Sequence, residues 1–187
     1  FEPLIEVAQV KGTSECRFDR LVGAGVGTQD ELCAFEQNPR DKQQLGPPVV
    51  PISIYPRRNL VRNLLADGLA LEQSLGANPY RFGLVGSTDN HNSTAGYVEE
   101  DRAQGHAGSN DDTKLELLAV PRIYDNPGAL AVIWAEQNTR DSLFDAMLRK
   151  EVYATSGTRP VVRFFGGFEY GTELCGRRDA VQRAYAN

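Results

Sequence analysis

Phe82-Gly83-Leu84-Val85-Gly86-Ser87-Thr88-Asp89-Asn90-His91-Asn92 is the stretch on which the fold turns. A short apolar run reads as a buried strand, and it breaks into Gly, Ser, Thr, Asp, Asn and His. In α/β proteins that change from apolar to polar at a strand end is where functional side chains collect. Asp89 and His91 are two apart, so a carboxylate and an imidazole can point to one side of an extended chain. One hard oxygen and one nitrogen donor suit zinc, manganese or iron. The same residues also suit an Asx-rich turn, with Ser87 and Thr88 capping the next element.

Upstream, residues 57–75 carry a helix pattern. Leu60, Val61, Leu64, Leu65, Leu71 and Leu75 approximate one face, and Gly76 with Asn78-Pro79 ends it. A helix followed directly by a strand is the grammar of a parallel α/β sheet. Further back, Leu4 to Val10 alternates like a strand and stops at Lys11-Gly12-Thr13-Ser14-Glu15, a second polar exit. Lys11 is placed to face an anion there, and Glu15 to add a carboxylate at the same end of the sheet. A solvated turn capped by Thr13 or Ser14 accounts for these residues equally.

Downstream, Ala129 to Trp134 is a continuous apolar run fit for a strand buried on both faces. It exits at Ala135-Glu136-Gln137-Asn138-Thr139. Asn138 or Thr139 caps a helix to about Lys150, with Asp141 in its first turn and Leu143, Phe144, Met147 and Leu148 inward. Val152 to Arg159 comes next, then an apolar strand over Val161–Phe165. Thr155, Ser156 and Arg159 read either as an oxyanion grip, since Arg forks onto phosphate oxygens, or as a tight turn. The charged tail from Gly176 onward shows no structural close.

Two long polar segments interrupt these elements. Residues 17–48 form an irregular loop whose Gly23-x-Gly25-x-Gly27 lacks the Lys-Ser/Thr of a phosphate loop. Residues 93–114 form a second, containing His106, one of only two histidines. His106 reads as a substrate contact, a further ligand or an exposed loop residue.

The 187 residues are 41% hydrophobic and 24% charged, ordinary for one domain able to bury a core without disulfides. A net charge of −5 argues against nucleic acid as partner. No apolar run approaches the roughly 18 residues of a membrane helix, and no signal peptide is legible. Phe1 falls close to a strand, which reads as a segment cut from a longer chain. Cys16, Cys33 and Cys175 lack the close spacing of a zinc site. Either they are small buried hydrophobes, or Cys16 and Cys33 pair in an oxidising compartment.

Four stretches in order carry a resemblance: Val10–Cys16, Gly86–Asn92, Trp134–Arg140 and Tyr153–Arg159. They resemble a bacterial family of unknown function distantly related to the polymerase-and-histidinol-phosphatase (PHP) phosphoesterases. The resemblance implies part of a distorted PHP-like (β/α) barrel, with metal ions at the C-terminal ends of its strands. It implies Asp89 and His91 as metal ligands and, through the glutamate after a middle strand, Glu15. Lys11, Glu136, Thr155, Ser156 and Arg159 match positions in or near the pocket. PHP domains begin with a His-x-His strand that this chain lacks, so the resemblance implies an internal or C-terminal segment with an incomplete site. Relatives are often exported from bacterial cells, with which a Cys16–Cys33 disulfide agrees.

The expectation is metal-assisted hydrolysis of a phosphoester on a small anionic substrate. Asp89, His91 and Glu15 would hold zinc, manganese or iron, and Lys11 or Arg159 would steady developing charge. Rival expectations are hydrolysis of another ester or amide, and a non-catalytic binding domain on the same fold.

Overall fold

The computed structural model describes residues 2–10, 12–16, 18–19, 24–25, 60–99 and 128–186. Lys11, Cys33, His106 and most of the 17–48 and 93–114 segments lie outside them. Strand β1 (Leu4–Gln9) has β2 (Gly12–Thr13) antiparallel on one side and β5 (Gly83–Gly86) parallel on the other. Two short strands, β3 (Phe18–Asp19) and β4 (Ala24–Gly25), pair separately. Helix α1 (Val61–Leu75) comes between β1 and β5 in sequence, so the helix-to-strand step does end in a parallel pair.

Helix α1 starts on backbone. Its N-cap Leu60 has no capping side chain; the Val61 and Arg62 N–H groups donate to Ser14 O (3.0 Å) and Glu15 O (3.1 Å). Those carbonyls satisfy two of the four donors a helix start leaves open. Val61 is buried at 3% exposure, worth about 1.5–3 kcal/mol, comparable with the two backbone hydrogen bonds at about 1 kcal/mol each, so both anchor the helix start. The expected face is only partly used: Leu64, Leu65 and Leu71 are half-buried and Leu75 is exposed. The helix ends as the sequence indicates, with Gly76 left-handed (φ 72°) and its N–H on Glu72 O.

The second half departs from the parallel pattern. Strand β6 (Leu130–Ile133), helix α2 (Arg140–Leu148) and β7 (Val152–Thr155) succeed one another, but β6 and β7 are antiparallel, Leu130 facing Thr155 and Ile133 facing Val152. The helix therefore leaves and returns at one end of the pair. It is an elaborate hairpin loop rather than a crossover. Trp134 N–H to Glu151 O (2.9 Å) extends the ladder. Thr139 caps α2, accepting from Ser142 N–H, and Asp141 sits in the first turn.

Three expectations here need correcting. Strand β6 is not buried on both faces: Ala129 is buried but Ala131 is exposed. Phe144 and Leu148 of α2 are exposed, and the buried residue is Ala146. Val161–Phe165 forms no strand. It is tied to β7 by side-chain hydrogen bonds, Tyr153 Oη donating to Pro160 O (2.6 Å) and accepting from Val162 N–H (3.2 Å), with Val161 and Phe164 exposed.

The expected barrel is not seen among the described residues; they form a mixed α/β arrangement of small sheets. Strand β5 packs against both β6 and β7. At Gly86 a Cβ would fall 2.8 Å from Ala129 Cβ, so bare backbone permits this approach. Among the described residues no helix is long and apolar enough to cross a membrane.

Past residue 176 a helix missed in the sequence appears, α3 (Ala180–Ala186), after a 3₁₀ turn at Leu174–Gly176. Seven residues are too few for a periodic signal. Tyr170 Oη donates to Ala184 O (3.0 Å), and Ala184 is buried. Asp179 accepts from Arg177 and Arg183. Those two guanidinium groups, Arg177 foremost, lower the Asp179 pKa to about 2. That lies below the ordinary carboxylate value of about 3.9, so the contribution is present above that value and lost as pH falls through the folded one. Acidification from about pH 4 to pH 2 is expected to loosen α3. Amide exchange at Arg183–Tyr185 reads this, and Asp179→Asn should abolish the pH dependence; an unchanged acid response in that variant would refute it.

Candidate metal centre

The parallel pairing of β1 and β5 brings their C-terminal ends to one side. Ser87, the first residue past β5, is clasped from both neighbours: its N–H donates to Ala8 O (3.0 Å) and its carbonyl accepts from Ala129 N–H (2.9 Å). Its hydroxyl donates to the Glu6 carboxylate, which also accepts from Gln9 Nε2 (2.9 Å). Next, Thr88 is buried, and its Oγ1 accepts from Gly96 N–H (3.3 Å), tying the loop's start to its end. Asn90 Nδ2 donates to Thr94 O (3.0 Å) and Oγ1 (3.1 Å), and Asn92 Oδ1 accepts from Thr94 N–H (3.3 Å).

Inside this closed loop Asp89 holds φ at 50°, a left-handed conformation unusual for a residue with a Cβ. Asp89 Oδ1 lies 3.3 Å from His91 Nε2, with the imidazole more exposed than the carboxylate. Asn90 and Asn92 thus make the Asx-rich turn, and within it the Asp89 carboxylate and the His91 imidazole are hydrogen-bonded to each other. Strained backbone held by its surroundings is a recurring property of functional sites.

Glu15 goes elsewhere. The register of β1 with β2 pairs Gln9 with Gly12 and Ala8 with Thr13, so the hairpin carries the chain back down the sheet before Glu15 is reached. There Arg62 grips both carboxylate oxygens, Nε on Oε1 and Nη2 on Oε2 (2.9 Å). Arg62 had no signal in the sequence, being 47 residues away. Among the described residues no three His, Cys, Asp or Glu side chains form a metal-holding group.

Thr155 and Ser156 join Glu15, not the Asp89–His91 pair. These residues line a groove of about 620 Å³ with Thr13, Phe82 and Lys150. Thr155 Oγ1 donates to Thr158 O (2.7 Å) and accepts from Gly157 N–H (3.4 Å), as the tight-turn reading requires. Arg159 reaches the loop of the pair, its Nη2 donating to Gly96 O (3.4 Å). Glu136 is exposed in the turn before α2. Lys11 and His106 lie outside the described residues. Cys16 is buried and disulfide-bonded, while Cys175 is free and exposed.

Sequence reasoning passed over Glu6 and Ser87 as a linked pair. A glutamate amid the apolar residues of β1 was the available signal, but only the parallel register places Ser87 beside it. Gly128 was also missed; a Cβ there would lie 2.6 Å from Thr88 Cα.

No curated protein and no solved structure matches the chain. A family model does, over residues 1–187, described as a protein of unknown function, so the chain belongs to the DUF3604 family.

Proposed function

We propose that this chain carries part of the metal site of a hydrolase acting on small anionic phosphoesters, on a distorted (β/α) barrel related to the bacterial PHP phosphoesterases. The observation that carries the reading is the 3.3 Å separation of Asp89 Oδ1 and His91 Nε2. Two donors bound at about 2.0–2.1 Å to a tetrahedral ion sit about 3.3 Å apart, so the separation of this hydrogen-bonded pair matches one edge of zinc coordination. Manganese and iron accept the same oxygen–nitrogen donors. Glu15 does not fit as it stands, because Arg62 occupies both of its oxygens.

Asp89 and His91 would hold a divalent ion, which would supply Lewis acidity toward a phosphoryl oxygen. Arg159, hydrogen-bonded to the rim of the loop, is the nearby cation suited to steady a phosphoryl group. The disulfide at Cys16 agrees with an exported protein.

Zinc and manganese titrated into metal-stripped protein are expected to bind near one equivalent. His91→Ala should weaken binding at least about 100-fold, as loss of one of few ligands does. Bound metal should stimulate hydrolysis of p-nitrophenyl phosphate. Unchanged affinity in His91→Ala, or no metal uptake by the native chain, would sink the metal-centre reading.

The Glu15–Arg62 pair and the groove beside it favour one alternative, a non-catalytic binding domain for a small molecule. Metal binding without any phosphoester hydrolysis would turn the reading toward it.

A further inference from the structure

A second cavity, of about 710 Å³, shares β7 with the Glu15 groove but is completed by Trp134, the 158–165 segment and Tyr185. Neither Asp89 nor His91 lines it. Its size is that of a small-molecule site. Its walls are pinned: Trp134 Nε1 donates to Val162 O (3.1 Å), and Tyr153 Oη holds Pro160 and Val162. Phe165 and Tyr185 meet edge to face, with centroids 5.0 Å apart.

Arg163 stands among these aromatic rings. Its Cζ lies 3.6 Å from the Trp134 ring centroid and 5.6 Å from that of Tyr185, and Nη1 donates to Tyr185 Oη. Other surface arginines, such as Arg62, Arg81 and Arg177, grip a carboxylate. Arg163 has no carboxylate partner among the described residues; aromatic faces and one phenol fix it instead. The carboxylate in the lining, Glu151, is taken by Arg149 (2.9 Å), while Lys150 adds a second cation. The wall is thus net positive, apolar and ordered, with guanidinium donors that no protein anion among the described residues satisfies.

We propose that this cavity binds a small organic oxyanion on a flat apolar body, with Arg163 holding the carboxylate or phosphate and the Val162, Phe165 and Tyr185 side chains packing the body. Guanidinium forks match both oxyanions, and the aromatic faces stacked on Arg163 orient its fork. The site does not rest on the metal centre.

Trp134 is the single tryptophan of the chain, so intrinsic emission reads this cavity directly. Titration with benzoate and with phenyl phosphate is expected to give a saturable change, the tighter of the two naming the oxyanion. Arg163→Ala should raise the Kd about tenfold or more, and Arg163→Lys should recover part of the loss. Asp89→Ala should leave this Kd unchanged, which separates the site from the metal centre. Arg163 is exposed, so its substitution leaves the fold intact, and circular dichroism checks this. No saturable response to either probe, an unchanged Kd in Arg163→Ala, or equal binding of neutral benzamide would overturn the proposal. Inorganic phosphate binding as tightly as phenyl phosphate would overturn the apolar part.

Discussion

Gly128→Ala is expected to cost about 2–5 kcal/mol of stability and to weaken metal binding at the Asp89–His91 pair. Two costs add. Gly128 has φ 99°, where a residue with a Cβ loses about 1–2 kcal/mol. The new Cβ would also lie 2.6 Å from Thr88 Cα and 3.1 Å from Thr88 O. These are backbone atoms that no rotamer change can move aside, and overpacking of this kind costs about 1–3 kcal/mol. Thr88 immediately precedes Asp89, so any relief displaces the carboxylate. Gly76→Ala is the control: φ is 72° but nothing lies within 4 Å of the new Cβ. It should cost only about 1 kcal/mol and leave metal affinity alone. Urea unfolding of the two variants separates strain from collision. Equal losses would mean that the Gly128–Thr88 contact does not seat the turn.

At Asp89 the expected result is a pair of variants alike in function and unlike in stability. Asp89→Ala and Asp89→Gly both remove the carboxylate, and each should weaken zinc binding about 100-fold or more. Their stabilities should differ. With φ at 50°, alanine keeps the left-handed penalty without a side chain able to bond locally, whereas glycine carries none. The glycine variant should exceed the alanine variant by about 1 kcal/mol in thermal or urea unfolding. All side-chain contacts of Asp89 are lost equally in both, so the difference isolates backbone strain. Equal stabilities would show that the turn holds no strain, and its reading as a preorganised site would lose support.

Local chemistry explains which features were legible in the sequence. Gly76 ended α1 because a left-handed residue was needed there, and Thr139 capped α2 because a helix start lacks acceptors. The strand at 83–86 and its polar exit were readable from apolar residues giving way to turn formers. Asp89 and His91, two apart, needed no long-range information to be seen as a pair. Features spanning distant residues were not readable. Arg62 on Glu15 depends on α1 starting against the 14–15 carbonyls, and the antiparallel sense of β7 depends on which end of the pair α2 returns to. Which face of α2 is covered was not readable either: Ala146 is buried, while Phe144 and Leu148 are exposed.

By itself, then, the sequence determined the strands near 4–9, 83–86 and 130–133, the glycine end of α1 and the Thr139 cap of α2, because propensity, capping and turn chemistry act within a few residues. Tertiary structure alone decided that Glu15 neutralises Arg62, that Thr155 and Ser156 line a separate groove, and that Arg163 stands among Trp134 and Tyr185. The reason is physical. A side chain's charge partner is chosen by register and packing between segments far apart in the chain, and neither leaves a periodic trace in the amino acids themselves.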